Sequence, residues 1–518
     1  MPETTSLAWF RRDLRLHDNA ALAAACDADR VVPVYCVDPR EYGDRPFGGP
    51  DSFDFEKTGA HRARFRLESL SDLRASLRDR GSDLLVREGR PESVLPEVAA
   101  AVDADVVTVH TRPTPEESSV ESAVETELRD DGVELRRFWG HTLTHVDDLP
   151  MALSALPDTY TTFRKAVESA AEDADADAAT GRGSARVGDS AVGDHVGRNS
   201  SGRNLAGRDP LSEPTVPPLP RDAPDAGDLP AVSDLVGIPD AEFDPAPDDR
   251  GVLPFDGGET AALDRVASYI WAGDNLREYK ETRNGLLGAD YSSKFSPWLN
   301  EGCLSPRYVK AEVDRYEDRR VANDSTYWLV FELRWRDFFQ FQFAKHGRDF
   351  FRREGIRERT DIDWRRDDAQ FERWAAGKTG IPFVDANMRE LNATGYMSNR
   401  GRQNAASFLA NDLRLDWRRG AAYFETRLVD YDPASNYGNW AYIAGVGNDS
   451  RDRSLDVRWQ AKRYDENAEY VTTWLPELDA LPAEYAREPW KLSEDEQASY
   501  GVELGVDYPE PMVDLDER

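Results

Sequence analysis

The stretch YWLVFELRWRDFFQFQF, residues 327–343, decides how the second half of the chain folds. It holds no Gly or Pro and its aromatics fall on every side, so it predicts a helix enclosed by other helices rather than one lying on a surface. Glu332 and Arg336 stand four residues apart on one face of it. Two readings of that pair are open: a structural ion pair inside a core, or a cavity wall whose buried charges hydrogen-bond a polar cofactor. Outward from this segment, helical periodicity recurs at 259–275, 305–317, 324–346, 367–376, 384–394, 399–413, 417–428 and 455–464. No alternating strand pattern appears after residue 259, so an all-α C-terminal half is expected.

Three neighbouring segments carry the chemistry. DYSSKFSPWLNEGCLSPR (290–307) gathers Ser292, Ser293 and Ser296 around Lys294. Such a set can hold a phosphate together with backbone N–H groups, and it equally suits N-caps and turns. GIPFVDANMRELNATGYMSNRGRQNAASFL (380–409) places Asn399, Arg400, Arg402 and Gln403 at a helix start after a Gly-containing turn. DYDPASNYGNWAYIAGVGND (430–449) sets Asp430, Asp432 and Asn436 before a Trp in what reads as a Gly- and Asn-rich loop. Asp and Arg this close to Trp and Tyr need pairing or ligand contacts when buried. The seven His, at 17, 61, 110, 141, 145, 195 and 346, lie mostly in the N-terminal half, and none falls within these three segments. Hydrolytic and zinc chemistries are disfavoured, and no metal site is expected.

The N-terminal part follows a different pattern. SLAWF (6–10), VVPVYCV (31–37), DLLVRE (83–88), DVVTVH (105–110) and VELRRF (133–138) read as strands, separated by helical segments at 61–80, 91–102 and 116–130. Near-continuous apolar runs alternating with helices predict a five-stranded, doubly wound parallel sheet covered on both faces. No G-x-G-x-x-G follows the first strand, so a dinucleotide site there is not indicated. Residues 171–250 are rich in Asp, Ala, Gly, Ser and Pro and nearly free of aromatics, the composition of a partly disordered linker that wraps over the surface. The expected division is an α/β domain over 1–150, a linker over 151–255, a helical domain over 256–495 and a short acidic tail over 496–518.

Charge dominates the composition. Asp and Glu number 98 against 65 Lys and Arg, a formal net charge of −33, and only nine of the cations are Lys. A dense carboxylate surface with scarce Lys suits a protein whose self-repulsion is screened by molar salt, as in a halophile's cytosol. Cys26, Cys36 and Cys303 show no metal-ligand spacing and fit a reducing cytoplasm. No apolar run reaches eighteen residues, and the N-terminus lacks a basic region followed by an apolar stretch, so neither membrane insertion nor secretion is expected.

SSKFSPWL, FELRWRDFF, MSNRGRQN and NYGNW together resemble the photolyase/cryptochrome family, and the resemblance runs from WFRRDLRLHDN (9–19) to WLPEL (474–478) apart from the linker. TYTTFRKAVE (159–168), TRNGLLGADYSSKFSPWLNEGCLSPR (282–307) and Gln403 within NRGRQN resemble its DASH branch in particular. The resemblance implies an N-terminal antenna domain and a helical domain holding FAD. It assigns Tyr279, Ser292, Ser293 and Ser296, aided by Lys294, to the FAD phosphates, and Glu332 and Arg336 to the adenine and the cavity floor. Asn399 would meet the cofactor's middle, Asp432 would accept from the flavin ring, and Asn436 would face flavin N5 as an uncharged donor. Arg402 would pair with Asp430 alongside the isoalloxazine. Trp440, Trp417 and Trp364 would form an electron relay, nearest the flavin first and Trp364 near the surface.

The implied reaction is light-driven splitting of cyclobutane pyrimidine dimers, restricted to single-stranded or looped DNA. Trp335 matches a lesion-stacking aromatic, whereas Tyr442 and Gln403 stand where duplex photolyases have Trp and Met, which shrinks the stacking surface. No His lies near 396–403, which disfavours repair of six-four photoproducts. DNA contacts are expected from Arg283, Arg451, Arg453, Arg458, Lys462 and Arg463, leaning on stacking because molar salt erases counterion release. The antenna is expected to be methenyltetrahydrofolate near Glu116 or Glu117, with deazaflavin or no antenna as alternatives. A monomer is expected. A blue-light signalling receptor and a light-independent nucleic-acid-binding regulator are the competing functions.

Overall fold

The structure is a computed structural model that describes residues 3–43, 53, 55–180 (backbone only over 173–180), 209–237, 247–449 and 454–515. Five parallel strands, β1 (Thr5–Phe10), β2 (Arg30–Val37), β3 (Leu85–Glu88), β4 (Val106–His110) and β5 (Glu134–Phe138), form one sheet in the order β3-β2-β1-β4-β5. In register, Leu7 lies beside Val32 on one side and Val107 on the other, and all three are buried. Helices α1 (Ala20–Ala25), α2 (Ala60–Arg78), α3 (Pro91–Ala101) and α4 (Pro115–Asp130) cover its faces, which is why the strands read as continuous apolar runs.

After β5 the chain forms α5 (Tyr160–Thr180). This helix continues through 171–180, the start of the segment expected to be linker; the five Ala and the Glu there lack core-forming side chains but not helix propensity. The described part of the remaining linker, 209–237, lies along the sheet. Val86 N–H donates to the Ala226 carbonyl at 2.8 Å, which closes the otherwise open β3 edge. Gly227 has φ +72°, and a Cβ there would lie 2.5 Å from the Val86 carbonyl oxygen, so this close approach needs glycine.

The helical part comprises α6 (Val232–Val236), α7 (Glu259–Val266), α8 (Tyr279–Thr282), α9 (Ser296–Glu301), α10 (Pro306–Arg319), α11 (Asp324–His346), α12 (Asp368–Ala375), α13 (Pro382–Thr394), α14 (Asn399–Ser407), α15 (Trp417–Arg427), α16 (Pro433–Ile443), α17 (Val457–Tyr464), α18 (Glu469–Trp474), α19 (Ala483–Arg487) and α20 (Glu494–Tyr500). Among the described residues no helix is long and apolar enough to cross a membrane. Two expectations are corrected. The stretch read as a Gly- and Asn-rich loop is α16: Asp432 caps it by accepting from Ser435 N–H at 2.8 Å, Pro433 opens it, and Gly438 lets it pack against Phe339. The stretch read as an acidic tail is docked. Tyr508 is fully buried, its hydroxyl donates to Asp385 at 2.6 Å, and Met512 N–H donates to the Thr379 carbonyl at 2.8 Å.

The two parts meet through buried arginines of α2. Arg66 makes a two-point ion pair with Glu301 at 3.0 Å, and Arg62 donates to the Leu428 carbonyl at 2.9 Å.

Candidate functional site

One face of α11 builds the wall of a cavity of about 590 Å³. Trp328, Glu332, Trp335 and Phe339 recur at helical spacing along it, and α8, α9, α14 and α16 supply the other sides. Tyr279, Ser292, Ser293, Lys294, Ser296, Glu332, Arg336, Asn399, Arg402, Asp430, Asp432 and Asn436 all line this one space, as do Trp335, Gln403, Tyr442 and Trp440.

The geometry resolves the open reading of Glu332 and Arg336. They do not pair with each other: Glu332 pairs with Arg283, while Arg336 donates to the Leu299 carbonyl at 3.1 Å and to Asn300 Oδ1 at 3.4 Å. Burial raises the Glu332 pKa, with Arg283 opposing. The two side chains are therefore cavity walls at separate points.

At one end lies the serine cluster. Lys294 is 2% exposed, its Nζ has no hydrogen-bond partner, and its ammonium sits 3.0 Å from the centre of the Tyr291 ring. Burial pushes its pKa down to about 6, with Arg265 adding to the depression. Glu390 and Asp290 oppose that depression without overcoming it, so the buried amine regains its charge most readily when an anion is bound beside it.

At the other end lies the acidic pair. Arg402 Nη2 donates to Asp430 Oδ2 at 2.8 Å, while Asp430 Oδ1 is buried without a partner. Asp432 accepts from Gln340 Nε2 at 2.9 Å on both oxygens, and Arg112 lies 3.9 Å away. Burial alone would raise the Asp432 pKa, but Arg336 and Arg112 outweigh it and hold the carboxyl below its ordinary value. Asn436 Nδ2 donates to the Ala421 carbonyl at 2.9 Å. That bond fixes the amide's orientation, because only nitrogen can donate to a carbonyl, so one N–H of the expected donor is already engaged.

Trp440 lines the cavity from α16, and a Cβ on Gly420 would come within 2.3 Å of its ring, so α15 packs directly on the indole. Trp417 Nε1 donates to the Arg353 carbonyl at 3.1 Å, and Arg353 in turn donates to the Trp364 carbonyl at 2.5 Å, which ties the Trp417 indole and the Trp364 main chain to one residue. Trp364 is 5% exposed, so it lies just beneath the surface rather than on it, next to the exposed Arg365 and Arg366. Trp374, absent from the sequence reading, packs edge-on against Trp440 at 6.1 Å.

Residues 6–180 match the family model described as DNA photolyase, and residues 328–518 match the FAD binding domain of DNA photolyase. A cryptochrome DASH of Natronomonas pharaonis is 58% identical over 515 residues, 99% of each chain. The chain belongs to the photolyase/cryptochrome family, in its DASH branch. Solved structures of the family agree. A Synechocystis cryptochrome matches at TM-score 0.86 and 44% identity, covering 100% of this chain and 98% of that one. A class III photolyase of Agrobacterium tumefaciens matches at 0.78 and 28%, covering 100% and 96%.

The FAD-binding match makes FAD the cofactor, and the residues present fit it. The volume suits a large folded ligand, the unpartnered Lys294 Nζ suits a phosphate, and the unpartnered Asp430 Oδ1 and ionised Asp432 suit a ring that offers N–H donors. Several lining or supporting residues were missed. Gln340 continues the polar stripe of Glu332 and Arg336 at the next helical turn, a signal the spacing did contain. Asn300 carried no such signal, and Arg112 arrives from the loop after β4 of the other domain, which no local pattern could announce.

The expected antenna residues do not line the cavity. Glu116 opens α4 and pairs with Lys57, which approaches Glu425 at 4.0 Å. Burial pushes the Glu116 pKa up to about 7, with Lys57 opposing. Glu117 adjoins it and has a buried oxygen without a partner. Arg283 lines the cavity itself; Arg458, Lys462 and Arg463 are on α17, and Arg451 and Arg453 lie outside the described residues.

Proposed function

We propose that the chain is a light-driven repair enzyme that splits cyclobutane pyrimidine dimers in single-stranded DNA. The observation that carries this reading is the wall at Trp335. One face of that indole is stacked on Tyr160, with ring centres 3.7 Å apart and planes 13° apart, so one face only is left to receive a base. Tyr442 meets Trp335 edge-on at 6.3 Å, and Gln403 is held by Arg400, which donates to its Oε1 at 2.9 Å. A single open indole face beside a polar amide supplies about 1–3 kcal/mol of stacking per base. Pulling a dimer out of duplex takes a few kcal/mol, which this wall does not return, whereas a dimer in a single strand is already accessible.

Reduced FAD, when bound, would supply the blue-light absorption and the catalytic electron for dimer splitting. The chain's own residues hold and shield it. Tyr279, Ser292, Ser293, Ser296 and Lys294 bind the phosphates, Glu332 and Arg336 bound the adenine end, and Asn399 the middle. Asp430, Arg402, Asp432 and Asn436 surround the ring end. Trp440, Trp417 and Trp364 pass a hole outward through buried indoles. Methenyltetrahydrofolate at Glu116 and Glu117 is the proposed antenna, and its binding has to draw Glu116 away from Lys57. We place the protein in a reducing cytoplasm, which its three free cysteines fit, and take it to act as a monomer.

The test illuminates reduced, FAD-loaded protein with a dimer-bearing oligonucleotide, single-stranded and duplex, in high salt. Recovery of thymine absorbance in the single strand only is expected. Equal repair of duplex refutes the argument from the wall. Absence of repair by protein that photoreduces normally assigns the chain to signalling instead, and tight binding that ignores both light and flavin assigns it to regulation.

A further inference from the structure

Of the thirteen tryptophans, all within the described residues, one is exposed. Trp459, on α17, is 55% exposed, whereas the others are buried or half-buried. A single exposed apolar side chain is ordinary, but Trp is a residue type enriched at contact surfaces, and its setting here is charged. Its setting narrows the partner. Lys462 and Arg463 follow at i+3 and i+4, so all three side chains share one face of α17, and no acid lies between Val457 and Tyr464. Lys462 and Arg463 are exposed and form no ion pair with any described residue, in a chain whose net charge is −33 and whose other cations are mostly paired. An unpaired cationic face on a polyanionic protein fits a polyanion.

The same face is joined to the cavity mouth. The Trp459 ring meets Tyr464 edge-on at 6.5 Å, Tyr464 carries the Arg400 guanidinium 4.5 Å above its ring, and Arg400 lines the cavity beside Gln403. Arg400 is further fixed by donating to Asn284 at 3.0 Å. A continuous run of ring, guanidinium and ring thus leads from the cavity rim to Trp459.

We infer that Trp459 is a stacking platform for an unpaired base flanking the lesion, with Lys462 and Arg463 facing the adjoining phosphates. The inference rests on the proposed action on single-stranded DNA. It explains how such a strand is held when salt removes the phosphate attraction, because stacking on an indole does not depend on counterion release. It also favours single strands, since bases within a duplex have no free face to offer.

The test compares two ligands, a dimer dinucleotide without flanks and a single strand with the same dimer at its centre, on FAD-loaded wild type, Trp459→Ala and Trp459→Tyr. Flavin absorbance confirms that each variant is folded and loaded. Wild type is expected to bind the flanked strand more tightly than the dinucleotide. Trp459→Ala is expected to lose about tenfold of that advantage at both moderate and molar salt, and Trp459→Tyr to keep most of it. An unchanged advantage in Trp459→Ala overturns the inference. So does an unchanged advantage accompanied by loss of self-association in sedimentation, which makes the patch a contact between copies. Wild type that binds neither ligand refutes instead the action on dimers on which the inference rests.

Discussion

Replacing Asp432 by Asn removes one buried charge and turns one of the two oxygens that accept from Gln340 into an N–H donor. Asn keeps an oxygen for the Ser435 N–H that starts α16 and one acceptor for Gln340, and it caps a helix as well as Asp does. What disappears is attraction to Arg112 at 3.9 Å and to Arg336. Unit charges at that distance attract by about 4 kcal/mol at an effective dielectric of roughly 20, and the desolvation of the carboxylate offsets part of this. Because the pKa of the folded carboxyl lies below its ordinary value, attraction exceeds desolvation and the sign is destabilising. A loss of about 1–3 kcal/mol is expected, worth about 2–4 °C of melting temperature per kcal/mol in a unit of roughly 150–250 residues. The pH dependence follows from the same sign. A depressed carboxyl stabilises the fold above its ordinary pKa near 4 and stops doing so as pH falls through its folded value. Thermal melts of wild type and Asp432→Asn, followed by near-ultraviolet dichroism from neutral pH to about pH 3, should show a gap that is constant at higher pH and closes below pH 4. Equal melting at neutral pH, or a gap that persists undiminished in acid, refutes the assignment of Asp432 as an ionised partner of the two arginines.

Lys294 gives a second pH dependence. With a pKa near 6 in the empty cavity, it is charged below that value, and a bound phosphate holds the proton on, so FAD affinity should fall as pH rises above about 6. Dialysis of FAD-loaded protein across that range checks it, and Lys294→Met should bind more weakly and lose the pH dependence. Trp364→Phe should slow photoreduction of the oxidised protein several-fold while sparing dimer splitting by chemically reduced protein, since the outer indole serves only the outward path; loss of both activities contradicts the order of the relay.

The sheet was legible because burial on both faces leaves uninterrupted apolar runs such as VVPVYCV, which nothing but a covered parallel strand requires. The enclosed helix was legible because its aromatics fall on every side of it. What escaped the sequence was decided by partners distant in it. Residues 433–443 carry Pro, Ser, two Asn and Gly, and become α16 because Asp432 caps them and Phe339 requires the glycine. Residues 496–515 look like a solvated acidic end, and are docked through Tyr508 and the buried Asp385. About half of the lining residues were named through motifs. Arg112 was not, because its contact with Asp432 spans the two domains and leaves no periodic trace.

The chain separates two kinds of electrostatics that its net charge merges. The −33 is a surface property, whose range shrinks to about 3 Å at molar salt. Arg15, Arg62, Arg66 and Arg112 are each at most 4% exposed and are held by carbonyls and carboxylates a few ångströms away, where salt does not enter. Contacts of that second kind fix Asp432 and dock the two domains, so they keep their strength under conditions that silence the surface. A polyanionic exterior is thereby compatible with an anion-binding interior: the repulsion that would turn away a phosphate outside is screened, whereas the desolvated Lys294 that would attract one inside is not. The same division explains why an exposed indole is more useful than further lysines at the rim, since in such a solvent an aromatic ring retains its hold on a base and an exposed cation largely loses its hold on a phosphate.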